Sequence, residues 1–329
     1  RDVAVTGVQT CALPISSLGE ALKTLSSASH VPQVHARELL DNRRLTSCQR
    51  PLPLTRGVHR FHSRARSTLP RRYTRFGVGR RGSWDMTMNP DEAIALSFVP
   101  IPSLLRGGLA ARLRADDPEL LDIARNHVRT ARAVVGPAFD KGIVAVPWTD
   151  PSYPPSLLTL DDFPPALWVR GDIQVVSARP CVAIVGSRAA APASLEMASR
   201  LAADLASLGV VVVSGLARGV DSAAHRGALS TGRTVAVLGS GVDRVYPAEH
   251  DALAMRIAQD GAVLSELPPG VPPLPHHFPL RNRLISGLAR GVLVVEAARR
   301  SGSLATARCA GEQGRDVFAI PGSIHSALS

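Results

Sequence analysis

At 329 residues and 34.8 kDa, the chain is long enough for one large domain or two ordinary ones with a substantial core. Apolar residues at 45% and charged residues at 20% exclude wholesale disorder, and no apolar run reaches the roughly 18 residues that cross a bilayer. The net charge of +11 suggests a nucleic-acid partner, but residues 1–85 hold 15 Lys+Arg against 5 Asp+Glu, leaving 23 against 22 for 86–329. The part of the chain patterned like folded protein is therefore nearly neutral, and bulk charge assigns it no partner.

The opening Arg1-Asp2-Val3-Ala4 lacks the basic flank and apolar stretch of a secretory signal, so a cytoplasmic setting is expected. Cys11, Cys48, Cys181 and Cys309 stand far apart without a CxxC pair, which argues against a disulfide framework or a zinc site. No metal and no cofactor are expected. Residues 1–85 scatter arginines among Pro, Ser and Thr without helical or strand period. Residues 5–15 (Val-Thr-Gly-Val-Gln-Thr-Cys-Ala-Leu-Pro-Ile) resemble the translation of a sequencing-library adapter. Residues 1–85 are accordingly expected to be non-native or disordered, with Met86 or Met88 as the true start.

Residues 86–150 read as a small helical cap that carries no chemistry. Asp116-Asp117-Pro118 is a good helix start, with acidic groups at the positive end and Pro in the first turn. Gly142-Ile143-Val144-Ala145-Val146 reads as a short strand. Residues 151–180 form a connector, with a rigid turn at Asp150-Pro151-Ser152-Tyr153-Pro154-Pro155 and a strand at 166–171.

From 181 to 329 the pattern becomes strand–helix alternation. Six β-branched runs at 182–185, 210–213, 234–238, 262–265, 292–295 and 317–320 are separated by helical stretches at 194–208, 221–229, 248–259, 280–288 and 303–313. Strands that are apolar throughout are buried on both faces, so the fold class is α/β: an extended Rossmann-like, doubly wound, mainly parallel sheet with right-handed crossovers and a small helical N-terminal cap. Ligands bind such sheets at the carboxyl ends of the strands. Those ends carry Gly186-Ser187-Arg188, Ser214-Gly215 followed by Arg218, Gly239-Ser240-Gly241, Ser265-Glu266, and Glu296 followed by Ser301-Gly302-Ser303. Gly and Ser at helix starts form phosphate-holding turns, and Arg188, Arg218, Arg281 and Arg283 gather near the same rim.

Catalytic signals are thin. Gly239-Ser240-Gly241 gives an incomplete dinucleotide fingerprint after the wrong strand, and with two lysines in the chain there is no GxxxxGK[ST] loop. Ser187, Ser214 and Ser265 lack a GxSxG elbow. His225 reads as a polar helix-face histidine, Asp221 and Ser301 or Ser303 as helix caps, and Glu266 and Glu296 as carboxylates that steady the rim arginines.

Taken in order, 182–188, 214–225, 265–270, 278–287 and 296–307 closely resemble the DNA-processing protein A family (DprA, also called Smf), densely over about 180–325. The resemblance implies a single-stranded DNA-binding recombination mediator that protects incoming DNA and helps load a RecA-type recombinase in natural transformation. It further implies a homodimer and no catalytic turnover, and leaves a membrane role out. On it, Gly186, Ser187 and Arg188 cradle one phosphate, Arg281 and Arg283 the next, Asn282 meets sugar or base, and Phe278 offers a stacking face. Ser214, Gly215, Arg218, Ser301 and Gly302 complete the rim. With aromatics at 4%, phosphate neutralisation is expected to dominate over stacking.

The family usually continues past the last strand, so late sheet elements are expected to be missing after Ser329. The alternative is a Rossmann-like nucleotide phosphoribohydrolase of the lysine-decarboxylase-like group, whose PGGxGT-type loop is replaced here by residues 296–302. A dinucleotide-dependent oxidoreductase lacks its fingerprint.

Overall fold

In the computed structural model the described residues are 88–105, 108–298 and 301–321. The segment 1–85 that the sequence sets apart lies outside them. The chain order is α1 (Pro90–Leu96), α2 (Ile101–Leu104), α3 (Leu109–Arg114), α4 (Pro118–Phe139), β1 (Ile143–Pro147), β2 (Ala166–Gly171) and α5 (Gln174–Ala178). The parallel part follows as β3 (Cys181–Val185), α6 (Pro192–Ser207), β4 (Val211–Ser214), α7 (Val220–Thr231), β5 (Thr234–Val237) and α8 (Asp251–Asp260). Then come β6 (Ala262–Ser265), α9 (His277–Leu288), β7 (Gly291–Val294), α10 (Gly302–Glu312) and β8 (Asp316–Ala319).

All eight strands lie in one sheet of order β1-β2-β6-β5-β4-β3-β7-β8. The pairs from β6 through to β8 are parallel, while β1–β2 and β2–β6 are antiparallel. The boundary expected at residue 181 therefore cuts through the sheet. The strands read into the cap and connector, β1 and β2, extend it by hydrogen-bonding to β6.

Alternation along the inner parallel strands β3 to β7 explains why these runs are apolar throughout. Strand β8, at the sheet edge, is only partly buried and its end residues Asp316 and Ala319 are exposed, so the expected burial on both faces does not extend to it. Cys181, Ala183 and Val185 face one core with Val211, Val213, Val292 and Val294, beneath Leu284 and Ile285 of α9 and Ala310 of α10. Val182, Ile184, Val212 and Leu293 face the opposite core beneath Ala198, Leu201 and Ala202 of α6 and Ala224 and Ala228 of α7. Both faces need side chains that exclude water, and period-two alternation supplies them.

Local chemistry sets the helix ends. Asn89 and Glu92 form a reciprocal capping box on α1. Asp117 starts α4 as expected, accepting from the Glu119 and Leu120 amides at 2.9 and 3.1 Å with Pro118 in the first turn. The indole of Trp168 in β2 donates to Ser97 Oγ at 3.1 Å, tying the sheet to the end of α1.

Two buried polar clusters stitch the layers. Arg283 of α9 forms a fork with Glu266, with nitrogen–oxygen distances of 2.9 and 2.7 Å. Its Nε also lies 2.9 Å from Asp162 Oδ2, an ion contact off the N–H direction. Burial opposes this guanidinium's charge, but Glu266 and Asp162 outweigh it and raise its pKa.

His225 of α7 is fully buried, not on the polar helix face the sequence suggested. Thr234 Oγ1 donates to the Val212 carbonyl at 2.6 Å, so its 2.7 Å contact with His225 has Nδ1–H as donor. Nε2 is then left buried without a partner, and burial, with His250, Arg281 and Arg226 adding positive charge, pushes the pKa down to about 3.

Two expectations follow. Arg283→Ala removes one side of a buried ion cluster and should cost about 3–5 kcal/mol in urea unfolding. An unfolded His225 takes a proton below its ordinary value of 6.5, whereas the folded one stays neutral down to about 3. Its contribution is therefore complete above pH 6.5 and is lost as pH falls toward 3. Stability should drop on the order of a few kcal/mol over that interval, and His225→Asn, which keeps a donor for Thr234, should flatten the profile.

Candidate nucleic-acid interface

Strand order reverses beside β3. Strands β4, β5 and β6 succeed one another on one side, and β7 and β8 on the other. The helix after β3 packs on one face of the sheet and the helix after β7 on the other. The loops leaving these strands therefore diverge and open a crevice between them. A cleft of about 640 Å³ occupies this place, lined from 185–189, 278–279, 281–282 and 301–303, with Ala217, Asp221, Tyr246 and Pro275 among the other lining residues.

The loop after β3 is fixed by its own backbone. The Ser187 amide donates to the Glu296 carbonyl at 2.6 Å, and the Ser187 carbonyl accepts from the Val220 amide at 3.2 Å. Its hydroxyl accepts from the Ala189 amide at 3.2 Å. Gly219, at φ +74°, packs so tightly that a Cβ there would lie 2.8 Å from the Arg188 carbonyl carbon. The amide and carbonyl of Ser187 thus hold the loop in place. What the loop presents is the Arg188 side chain, exposed at the cleft mouth with its Cζ 5.7 Å from the Phe278 ring centroid. No carboxylate among the described residues pairs with it.

Arg281 forms the floor. It is 5% exposed, one terminal nitrogen donates to the Val237 carbonyl, and its Nε has no partner. Burial lowers its pKa to about 10, against the pull of the Asp221 charge and with a push from Arg188, so it remains a cation at neutral pH. Asp221 does not cap α7. Its Oδ2 accepts from the Gly215 and Ala217 amides at 3.1 and 3.3 Å, and burial raises its pKa against Arg281 and those bonds. Asn282 donates to the Gly302 carbonyl at 3.1 Å, joining α9 to the start of α10. There Ser301 is the N-cap, accepting from the Ser303 amide at 3.2 Å, and Gly302 is exposed.

Eight of the expected residues therefore line one cleft: Gly186, Ser187, Arg188, Phe278, Arg281, Asn282, Ser301 and Gly302. Four do not. Ser214 is fully buried and donates to the Ile184 carbonyl at 2.6 Å, clipping β4 to β3. Gly215 lies behind Arg281, where a Cβ would come within 2.7 Å of the guanidinium carbon. Arg218 pairs with Glu249 through two 2.7 Å bonds outside the cleft. Arg283 points away because α9 begins at His277, so residues 281 and 283 lie on a helix, where side chains two apart face different directions.

Of the two rim carboxylates, Glu266 does hold an arginine, Arg283. Glu296 instead accepts from the Ala191 amide at 3.2 Å. The serines weighed as nucleophiles are occupied internally: Ser265 Oγ accepts from the Leu267 amide at 3.0 Å. Sequence reading missed Asp221 as an electrostatic partner of Arg281, and missed Tyr246 altogether. Tyr246 enters from the loop after β5, and no local pattern signals it.

Residues 145–329 match the family profile described as DNA recombination-mediator protein A. The chain is 50% identical over 181 residues to Protein Smf of Escherichia coli K12, an alignment covering 54% of this chain and 48% of that protein. It thus spans about half that relative's length. The X-ray structure of DNA processing protein A from Streptococcus pneumoniae superposes with a TM-score of 0.62 at 36% identity, covering 73% of this chain and 90% of that one. DNA processing protein A of Helicobacter pylori, studied for its unique single-stranded DNA binding mode, gives 0.50 at 34% identity, covering 53% and 80%. On the ordered motifs, the sheet and these matches, the chain belongs to the DNA recombination-mediator protein A (DprA/Smf) family.

Proposed function

We propose that the switch-point cleft binds single-stranded DNA, and that the chain serves as a recombination mediator that shields incoming strands and helps load a RecA-type recombinase in natural transformation. The observation that carries this reading is the placement in one cleft of Arg188, exposed and without a carboxylate partner among the described residues, and of Arg281, buried, whose Nε has no hydrogen-bond partner among them. Two cations concentrated in one crevice of a nearly neutral domain supply local attraction for a polyanion that net charge would not reveal. Phe278 beside them gives a base a flat apolar face. The Helicobacter pylori relative, described by its single-stranded DNA binding, supports the same ligand.

Action is by binding, not turnover. The hydroxyls of Ser187, Ser214 and Ser265 are held by internal backbone bonds, and His225 is sealed in the core. The recombinase contact, the homodimer and the cytoplasmic setting rest on family membership. Among the described residues no helix is long and apolar enough to cross a membrane.

The test is a salt-dependent titration of this chain with single- and double-stranded oligonucleotides. The single strand should bind more tightly. Arg188→Ala should weaken it and reduce the slope of log K against log salt by about 0.7, the share of one phosphate contact. An unchanged slope in a folded Arg188→Ala protein removes the proposed groove. Gly215→Ala should also weaken the single strand, because the added methyl displaces the Arg281 guanidinium from the cleft floor.

A further inference from the structure

Tyr246 is among the few large apolar side chains left open, with 46% of its surface exposed. Its loop is anchored without it. Ser240 Oγ donates to the Arg244 carbonyl at 2.6 Å, the Arg244 amide to the Gly241 carbonyl at 2.8 Å, and the Gly241 amide to the Val271 carbonyl at 2.9 Å. The Gly270 amide adds a 2.8 Å bond to Asp243 Oδ1. The ring therefore stands on a loop that other groups anchor. One neighbour is Phe278, with centroids 5.6 Å apart and planes tilted by 48°, and on Phe278 sits the Arg188 guanidinium. Tyr246 and Arg188 thus both lie against Phe278, and the three flat groups line one cleft.

Flat faces at the mouth of a cationic crevice suit one class of ligand group. A nucleobase splayed out of its strand is planar, apolar on both faces and tethered to a phosphate that the arginines attract. We infer that Tyr246 is a base-stacking surface, the outer half of an aromatic platform completed by Phe278, and that it favours unpaired strands because paired bases cannot reach it. This rests on the proposed single-stranded DNA binding and adds to it a residue that reads bases and not charge. Composition alone pointed the other way, since aromatics are scarce. Placement counts for more: two of the chain's few rings stand side by side where a strand would pass.

The experiment measures fluorescence anisotropy of the full chain with a labelled oligothymidylate, and with the same oligonucleotide carrying abasic sites. Tyr246→Ala should weaken binding of the intact strand about 5- to 150-fold, the effect of losing one base–aromatic stack, while leaving the salt slope unchanged. Tyr246→Phe should bind like the parent. Tyr246→Leu keeps an apolar side chain against Phe278 and should show the same loss as alanine, which guards against a packing defect. The abasic strand should bind the parent and the alanine protein alike. Equal binding of the intact strand by parent and Tyr246→Ala, or equal losses on intact and abasic strands, overturns the stacking role alone. A parent chain that fails to bind the intact strand at low salt overturns this role together with the proposed function.

Discussion

Strand order reverses beside β3, with β4, β5 and β6 following on one side and β7 and β8 on the other, and the cleft lies at that reversal. Helices that follow β3 and β7 must cover opposite faces of a sheet whose strands are apolar on both sides. The two loops then part and leave a cleft of about 640 Å³ between them. The crevice is a consequence of connectivity, and it lies at the carboxyl edge of the parallel strands because the loops that part there leave those ends. What the sequence supplies is the small residues that let the loops bend tightly there and the few charged ones that face inward.

The arginines divide by the physics of burial. Arg283 and Arg218 each have a carboxylate partner, one deep and one at the surface, and both are spent on structure. Arg281 is buried with only partial compensation: a backbone carbonyl takes one nitrogen, Asp221 lies close enough to act on its charge, and Nε remains unpartnered. A desolvated guanidinium with a spare donor is costly to keep and needs a reason for being there. Arg188 lies at the other extreme: it is exposed, rests against the Phe278 ring and has no carboxylate partner among the described residues, so its charge is open to a ligand. Charge that stabilises the fold and charge available at the cleft thus sit within a few residues of each other.

The same contrast applies to the aromatic residues. Trp148, Tyr153 and Phe163 pack together in the core and Phe98 packs against Trp168, whereas Tyr246 and Phe278 sit at the edge of the cleft. A residue count treats these groups alike, but Trp148, Tyr153, Phe163 and Trp168 are buried, whereas Tyr246 is exposed beside the cleft. On the proposed function, the interface combines one exposed cation, one buried cation and a two-ring face, a small set that suits sequence-tolerant capture of a flexible strand.

The parallel part of the sheet was legible in the sequence. Six β-branched runs alternating with amphipathic stretches can bury themselves only as parallel strands between helices, and the strand-end glycines marked the rim. Eight of the residues it singled out do meet in one cleft, since loops at the ends of adjacent strands are neighbours by construction. Tertiary structure alone decided which arginines serve the cleft, because that depends on the helical phase of α9 and on where Glu266, Asp162 and Glu249 arrive from distant elements. It also decided that β1 and β2 belong to the sheet, and that Tyr246 reaches Phe278. Pairing partners and ring contacts across 17 or more residues leave no periodic trace in a single chain, so they become visible only when the fold brings them together.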